Sequence, residues 1–421
     1  MKLYDQLIQF VEQKLGPFAG KVGCQRHVTA LRDGFLVSMP FVIIGSFILI
    51  LSNPPFAEDT TNVMGRTWLD FVAKHRSVII MPWSMSMGIM SLFVSMGVAY
   101  SLARSYKMDA IGAAALSLMT FLLIAAPDKD GTLPMLYMGG TGIFTALISA
   151  YFSVELTRFL SRHNITLRMP EQVPPAIEAS FSLLIPVLFI FVTAYPLSLL
   201  IQGSFGMPVP RAVMALFEPL VLASNSLPAI IGAVMLSQLL WFTGIHGSNI
   251  VVGILSPVFL TNIAVNASAY AAGQPIPNLF TQPFLDFYIA IGGSGATLSL
   301  AILMSFSRTA HLRSVGRMSL LPGIFQINEP VIFGTPIVMN ATFFLPFVFI
   351  PIINATVAYI ATSTGLVAKA IAVTPWTTPA VIGSAWGAGW MISSSILTVF
   401  LIILDLVLYY PFFRVFEKQG L

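Results

Sequence analysis

Stretches of about twenty residues with almost no charge recur from end to end of this chain, and segments of that length and polarity are matched to the hydrocarbon core of a bilayer. VSMPFVIIGSFILIL at 37–51, IPVLFIFVTAYPLSLLI at 185–201 and ISSSILTVFLIILDLVLYY at 392–410 are three of them. The composition agrees: 56% of the residues are hydrophobic and 9% are charged, where soluble proteins carry about 25% charge. Seventeen acidic and 21 basic side chains are too few to clothe several soluble domains. The sequence therefore specifies an all-α integral membrane protein with about ten transmembrane helices.

The spans read as 34–52, 79–102, 109–127, 135–158 and 179–202, followed by 227–244, 248–264, 284–306, 341–362 and 391–413. An even number puts both termini on one side. Taking that side as cytoplasmic gathers 15 of the 21 basic residues there, from Lys2 to Lys418, and leaves Arg66, Lys74, Arg76, Lys129, Arg211 and Lys369 at or near the outer surface. The positive-inside bias favours this orientation over its inverse. It also accounts for the net charge of +4 without nucleic acid, because no basic cluster has the size of a groove.

Two apolar stretches do not fit as spans. Residues 321–340 (LPGIFQINEPVIFGTPIVMN) and 371–390 (IAVTPWTTPAVIGSAWGAGW) are rich in Pro, Gly, Asn and Thr. Their freed backbone groups are tolerated at membrane depth only inside protein or against a wet cavity. Both read as re-entrant hairpins, the first entering from the cytoplasmic side and the second from outside, an arrangement that builds a polar site near mid-membrane. The chain divides accordingly. Residues 1–33 form an amphipathic surface segment with Leu3, Leu7, Phe10, Lys14 and Phe18 at helical spacing, and carry no secretory signal. Residues 34–205 form a transmembrane scaffold, 206–226 an interfacial linker, and 227–421 a substrate-binding transport domain.

Glu329 is the most informative residue, because a carboxylate within an apolar segment is costly unless a partner, water or function compensates it. It either serves a substrate or caps the hairpin's backbone donors, and the two are compatible. His246 lies in GIHGSN, between glycines that let the backbone break a helix and approach a ligand. It is either a proton-handling group or a hydrogen-bonded packing residue. One carboxylate and one imidazole on separate breaks of the same half make an acceptor and a donor or proton shuttle, and they are the catalytic candidates. Asn249, Gln326 and Asn328 beside them are candidates to hold a substrate by hydrogen bonds. Trp376 and Trp386, near the second interruption, either stack on apolar ring faces of a substrate or belong to the interfacial belt or core.

Asp286 and Asp405 also lie in or near spans, as coupling-ion ligands or, preferably, as a helix start and an inter-helix partner. The other histidines, His27, His75, His163 and His311, read as solvated loop residues. One cysteine, Cys24, permits no intrachain disulfide and no CxxC metal site. With no HExxH, phosphate loop or dinucleotide fingerprint, neither a metal nor another cofactor is expected. The GGSG at Gly292 reads as a device for close helix packing.

At GIHGSN and PGIFQINEPVIFGTPIVMN the sequence resembles the membrane (IIC) component of the bacterial sugar phosphotransferase system, lactose/cellobiose/diacetylchitobiose family. The likeness extends through HVTALRDGF near residue 27, GGSGATLSL at Gly292 and PW at Pro375, and so covers essentially the whole chain. It implies a permease in the bacterial cell (inner) membrane that binds a sugar, such as the β-linked disaccharides cellobiose or diacetylchitobiose, and couples its passage to phosphorylation. It implies a homodimer joined through the N-terminal spans within the lipid, with separate IIA and IIB proteins as partners. The phosphoryl donor is then a phosphocysteine of IIB, not Cys24, so whether this chain itself ranks as an enzyme stays open. Glu329 and His246 correspond to the pair beside the sugar hydroxyl that receives phosphate, and Asn328 and Trp376 to sugar contacts. An ion-coupled secondary sugar transporter is the alternative, since it too uses broken helices and intramembrane carboxylates. An enzyme acting on lipid-linked substrates would show more catalytic carboxylates or phosphate-binding bases at the membrane surface.

Overall fold

A computed structural model of the chain describes residues 13, 14, 16–54, 56, 59–125, 133–167, 170, 181–335 and 337–419. Residues 1–12, the start of the expected surface segment, lie outside the described residues, as do Lys129 and Arg168. Among the described residues all regular structure is helical. The first half holds α1 (Gly16–Gly23), α2 (Arg26–Leu51), α3 (Val63–Ser84), α4 (Met90–Ser105), α5 (Ala110–Ala125), α6 (Ile143–Arg162), α7 (Leu184–Phe205) and α8 (Val209–Ser224). The second holds α9 (Leu227–Phe242), α10 (Gly247–Ala271), α11 (Leu298–Ser305), α12 (Ala310–Ile324), α13 (Glu329–Gly334), α14 (Ala341–Ser363), α15 (Ala380–Gly387) and α16 (Ile392–Gln419). Among the described residues, seven helices are long and apolar enough to cross a bilayer, or eight if α8 and α9, bent by 78°, count as one.

Several boundaries differ from the hydropathy reading, each for a local reason. Helix α2 starts at Arg26 rather than 34 because the Gln25 side chain accepts from the Val28 N–H and caps it. Arg32 and Asp33 thus ride on a long helix instead of a surface segment. Helix α3 occupies most of the expected loop before residue 79. Asn62 caps it, accepting from the N–H groups of Met64 and Gly65. The expected span 79–102 is two helices, broken at 85–86 and by a 3₁₀ turn at Met87–Ile89. Pro82, near the end of α3, removes a backbone donor just before the break.

The first half packs around α4, which contacts α2, α5 and α6. Phe35, Val42 and Leu49 of α2 meet Val94, Val98 and Leu102 of α4 in its core. The approach is backbone to backbone: a Cβ added to Gly97 would stand 2.4 Å from the Gly34 carbonyl oxygen. Small residues allow such contact, and dispersion over the whole interface holds it where no hydrophobic effect acts between lipid and helix. A buried Ser95–Ser117 hydroxyl pair at 2.6 Å ties α4 to α5.

In the second half α9 packs on α14, and α16 on α11, α14 and α15. Two apolar clusters result, one around Phe280, Phe287 and Leu401 and one around Phe242, Phe343 and Phe347. Helix α10 is the wall between the halves. Its Leu260, Ile263 and Ala264 join the first-half core, and Phe259 joins a second-half cluster.

Three stretches of the second half depart from regular helix. The expected span 284–306 is not continuous: short turns at Gln282–Phe284 and Leu285–Ile289 lead to a loop and then to α11, only eight residues long. Gly292, Gly293, Gly295 and Ala296 have positive φ there, which a right-handed helix excludes. At 321–340, α12 stops at Ile324, Gln326 takes φ 67°, and six-residue α13 follows. At 371–390 the chain is non-helical up to α15, and Trp390 takes φ 65°. Asparagines satisfy the backbone of a further non-helical run after α10. Asn225 Oδ1 accepts from the N–H groups of Leu279 and Phe280, and Asn266 Nδ2 donates to the carbonyls of Asn278 and Ala370.

Candidate functional site

A cavity of about 670 Å³ opens where these breaks meet α2 and α10. His246, Asn249, Gln326, Asn328, Glu329 and Trp376 all line it. Six of the seven site residues picked from the sequence, drawn from three separate segments, therefore share one space. Trp386 does not line it. That indole stacks on Trp390 at 6.1 Å and meets Phe47 edge-on at 6.0 Å.

His246 is the N-cap of α10. Its Nδ1 accepts from the Asn249 N–H at 3.3 Å, and its ring lies 4.2 Å from that of Trp241. An Nδ1 that accepts carries no proton, so the neutral ring has its proton on Nε2 and presents a donor. Trp241 is fixed in turn: its Nε1 donates to Ser248 Oγ at 3.1 Å, which pairs with Ser294 Oγ at 2.7 Å. Glu329 opens α13 without capping it by its side chain, and among the described residues no hydrogen bond or ion pair engages its carboxylate. The capping alternative for Glu329 is thus absent from the geometry, whereas His246 does act as a cap.

Asn328 and Gln326 are buried and hold the glycine loop. Asn328 Nδ2 donates to the Ser294 carbonyl at 2.6 Å and to Thr297 Oγ1 at 3.0 Å. Gln326 Nε2 donates to the Asp286 carbonyl at 2.7 Å while its Oε1 accepts from the Gly292 N–H. Gly293, with φ 97°, lies under the Asn328 carboxamide so closely that a Cβ there would be 2.5 Å from Asn328 Cγ. The GGSG segment thus backs the site and also permits close helix packing, since a Cβ at Gly295 would stand 2.4 Å from the Phe347 ring of α14. Tyr409 of α16 reinforces it, donating to the Gly295 carbonyl at 2.6 Å.

Asp286, a coupling-ion ligand or preferably a helix start in the sequence reading, stands in the first turn of the short helical element Leu285–Ile289. The structure puts it on the cavity wall with Gln282. The signal for its place on the cavity was the glycine run six residues on, which forbids a continuous span beginning at Asp286. Asp405 behaves as an inter-helix partner: Asn354 Nδ2 donates to it at 3.0 Å, and both residues are 0% exposed. His27 is not a free loop residue, since its Nε2 lies 3.1 Å from Glu155, which also accepts from Tyr106 and Arg158.

Half-exposed Trp376 and the Trp241 ring tilted against His246 offer flat apolar faces, and carboxylates, amides and an imidazole donor line the same cavity. This suits a neutral polyhydroxylated solute. Broken helices around such a cavity, within a bundle of bilayer-length apolar helices, define a membrane transporter of small polar solutes. Residues 32–351 match the family described as "Phosphotransferase system, EIIC". The chain is 38% identical over 436 residues to the lichenan permease IIC component of Bacillus subtilis (strain 168), and 40% identical over 437 residues to the cellobiose-specific EIIC component of Geobacillus stearothermophilus. Each alignment covers 99% of this chain and 95% of the relative. The crystal structure of the transporter ChbC, the IIC component from the N,N'-diacetylchitobiose-specific phosphotransferase system, is 39% identical, with a TM-score of 0.90 over 98% of each chain. The chain belongs to the phosphotransferase-system EIIC family, and it is the membrane permease component of a system that also comprises IIA and IIB proteins.

Proposed function

We propose that this chain takes a β-linked disaccharide of the cellobiose or diacetylchitobiose kind into the cavity and yields it to the cytoplasm as a sugar phosphate. The carrying observation is that Glu329 and His246, on two different helix breaks, face one cavity. Its volume lies within the range of about 300–1,000 Å³ usual for small-molecule sites. Glu329 accepts from the reacting hydroxyl and takes its proton as the oxygen–phosphorus bond forms and the sulfur–phosphorus bond of a IIB phosphocysteine breaks, the thiolate leaving on IIB, and the His246 Nε2–H orients that hydroxyl. Trp376 stacks on a ring, Asn249 and Asp286 take further hydroxyls, and Asn328 and Gln326 keep the wall in register. Trp386 serves packing. A phosphate of about −1.5 to −2 charges beside Glu329 turns attraction into repulsion and makes return across the bilayer prohibitive.

On the same reading the chain crosses the inner membrane ten times with both termini cytoplasmic, counting the seven long helices, α5, the α8–α9 pair and the broken 282–305 element. Residues 321–340 and 371–390 are re-entrant. Residues up to about 205 form the scaffold and dimer interface, for which α7 offers Leu188, Phe191, Val192 and Leu200 outward, and the transport half moves against it. Calorimetric titration of the purified protein with cellobiose, diacetylchitobiose, maltose and glucose tests the substrate class. A β-linked disaccharide should bind at least about tenfold tighter than the others, equivalent to about 1.4 kcal/mol. Equal binding of glucose, or preference for maltose, counts against it.

A further inference from the structure

Three carboxylates line the cavity, Asp33, Asp286 and Glu329, and among the residues that line it Arg32 is the one cation. Arg32 and Asp33 come from α2, in the half that contributes neither His246 nor Glu329. The Arg32 stem runs along α10 at Gly253, where a Cβ would meet its methylenes at 3.7 Å. Its Nε donates to Asp33 Oδ1 at 3.0 Å, with both side chains close to two-fifths exposed. Among the described residues no hydrogen bond engages either Nη.

An ion pair between adjacent, solvated side chains is weak, so Asp33 holds the guanidinium loosely and leaves its outer fork free. That fork matches a phosphate in geometry and charge far better than it matches a neutral sugar. A sugar phosphate beside Asp33 and Glu329 meets repulsion, and Arg32 is the one permanently charged cation among the lining residues to offset it. Arg32 stands six residues into α2, about 9 Å from the helix's first residue at 1.5 Å per residue, toward the end that carries Arg26.

We propose that Arg32 binds the phosphoryl group of the newly formed sugar phosphate, with Asp33 as the internal competitor that releases it. The assignment rests on the phosphotransfer reading of the same cavity. The sugar and the phosphate are then recognised by different halves of the molecule, Glu329 and His246 on one and Arg32 on the other.

The test titrates the purified full chain with cellobiose and with cellobiose phosphate. Arg32→Gln should weaken the phosphate by about tenfold or more and cellobiose by less than about threefold. Arg32→Lys, which keeps charge but not the fork, should fall between. Asp33→Asn should tighten the phosphate severalfold, and it decides the matter should Arg32→Gln fail to fold. Equal losses for both ligands in Arg32→Gln, an unchanged phosphate affinity in that variant, or no gain in Asp33→Asn overturns the assignment. A wild-type protein that binds the ligands normally while the variants show no difference refutes Arg32 alone. A wild type that binds neither ligand refutes the functional reading, and this assignment with it.

Discussion

Gly293→Ala is a small change with a large expected effect. The wild-type residue has φ 97° and supports Asn328, whose Cγ would lie 2.5 Å from the new Cβ. Holding an alanine in that backbone region costs about 1–3 kcal/mol, and overlap in a packed site costs about 1–3 kcal/mol more unless something moves. Relief comes most readily from the Asn328 carboxamide, which gives up its bonds to Ser294 and Thr297. Asn328 adjoins Glu329 in the chain, so any backbone adjustment that completes the relief shifts the carboxylate as well, and a shift on the order of 1 Å can cost about 100-fold in rate. Phosphorylation-coupled uptake of labelled disaccharide in membrane vesicles should fall by about that factor, with protein still in the membrane. Wild-type uptake, with unchanged affinity and thermal stability, would refute the claim that the glycine loop positions Glu329.

Glu329→Gln keeps size and hydrogen bonding but removes the proton acceptor, so sugar affinity should stay within about threefold while phosphorylation drops by about 100-fold or more; parallel titration and product assays read the split. Asn354→Ala leaves the buried Asp405 without its donor and should lower stability by about 1–3 kcal/mol in denaturant unfolding of the solubilised protein. A double Asn354→Leu, Asp405→Leu variant should recover much of that loss, since apolar replacement of a buried polar pair is tolerated better than half of it. Gly97→Leu forces α2 and α4 apart at a backbone contact and should reduce membrane yield and melting temperature, while any protein that assembles keeps its sugar affinity.

The apolar helices were legible because bilayer length and charge scarcity leave few alternatives, and Glu329 and His246 stood out because each interrupts that scarcity beside helix-breaking residues. The Asp286 position was not legible. Hydropathy over 284–306 averages across the glycines, whereas the backbone reads each of them separately. Local capping likewise fixed the ends of α2 and α3 through Gln25 and Asn62, which a twenty-residue window smooths away. Trp376 and Trp386 look alike in sequence, but only the structure distinguishes the indole on the cavity from the one stacked on Trp390. Arg32 reads as one more topology-setting cation until the fold brings α2 to the cavity.

The central claim is that passage through this cavity is driven by phosphorylation of the sugar. Membrane vesicles containing the wild-type chain, loaded with the soluble phosphorelay, should accumulate labelled cellobiose inside as its phosphate, equally well after ionophores collapse the ion gradients. Accumulation of free, unmodified sugar that needs an ion gradient and ignores the phosphorelay would contradict it.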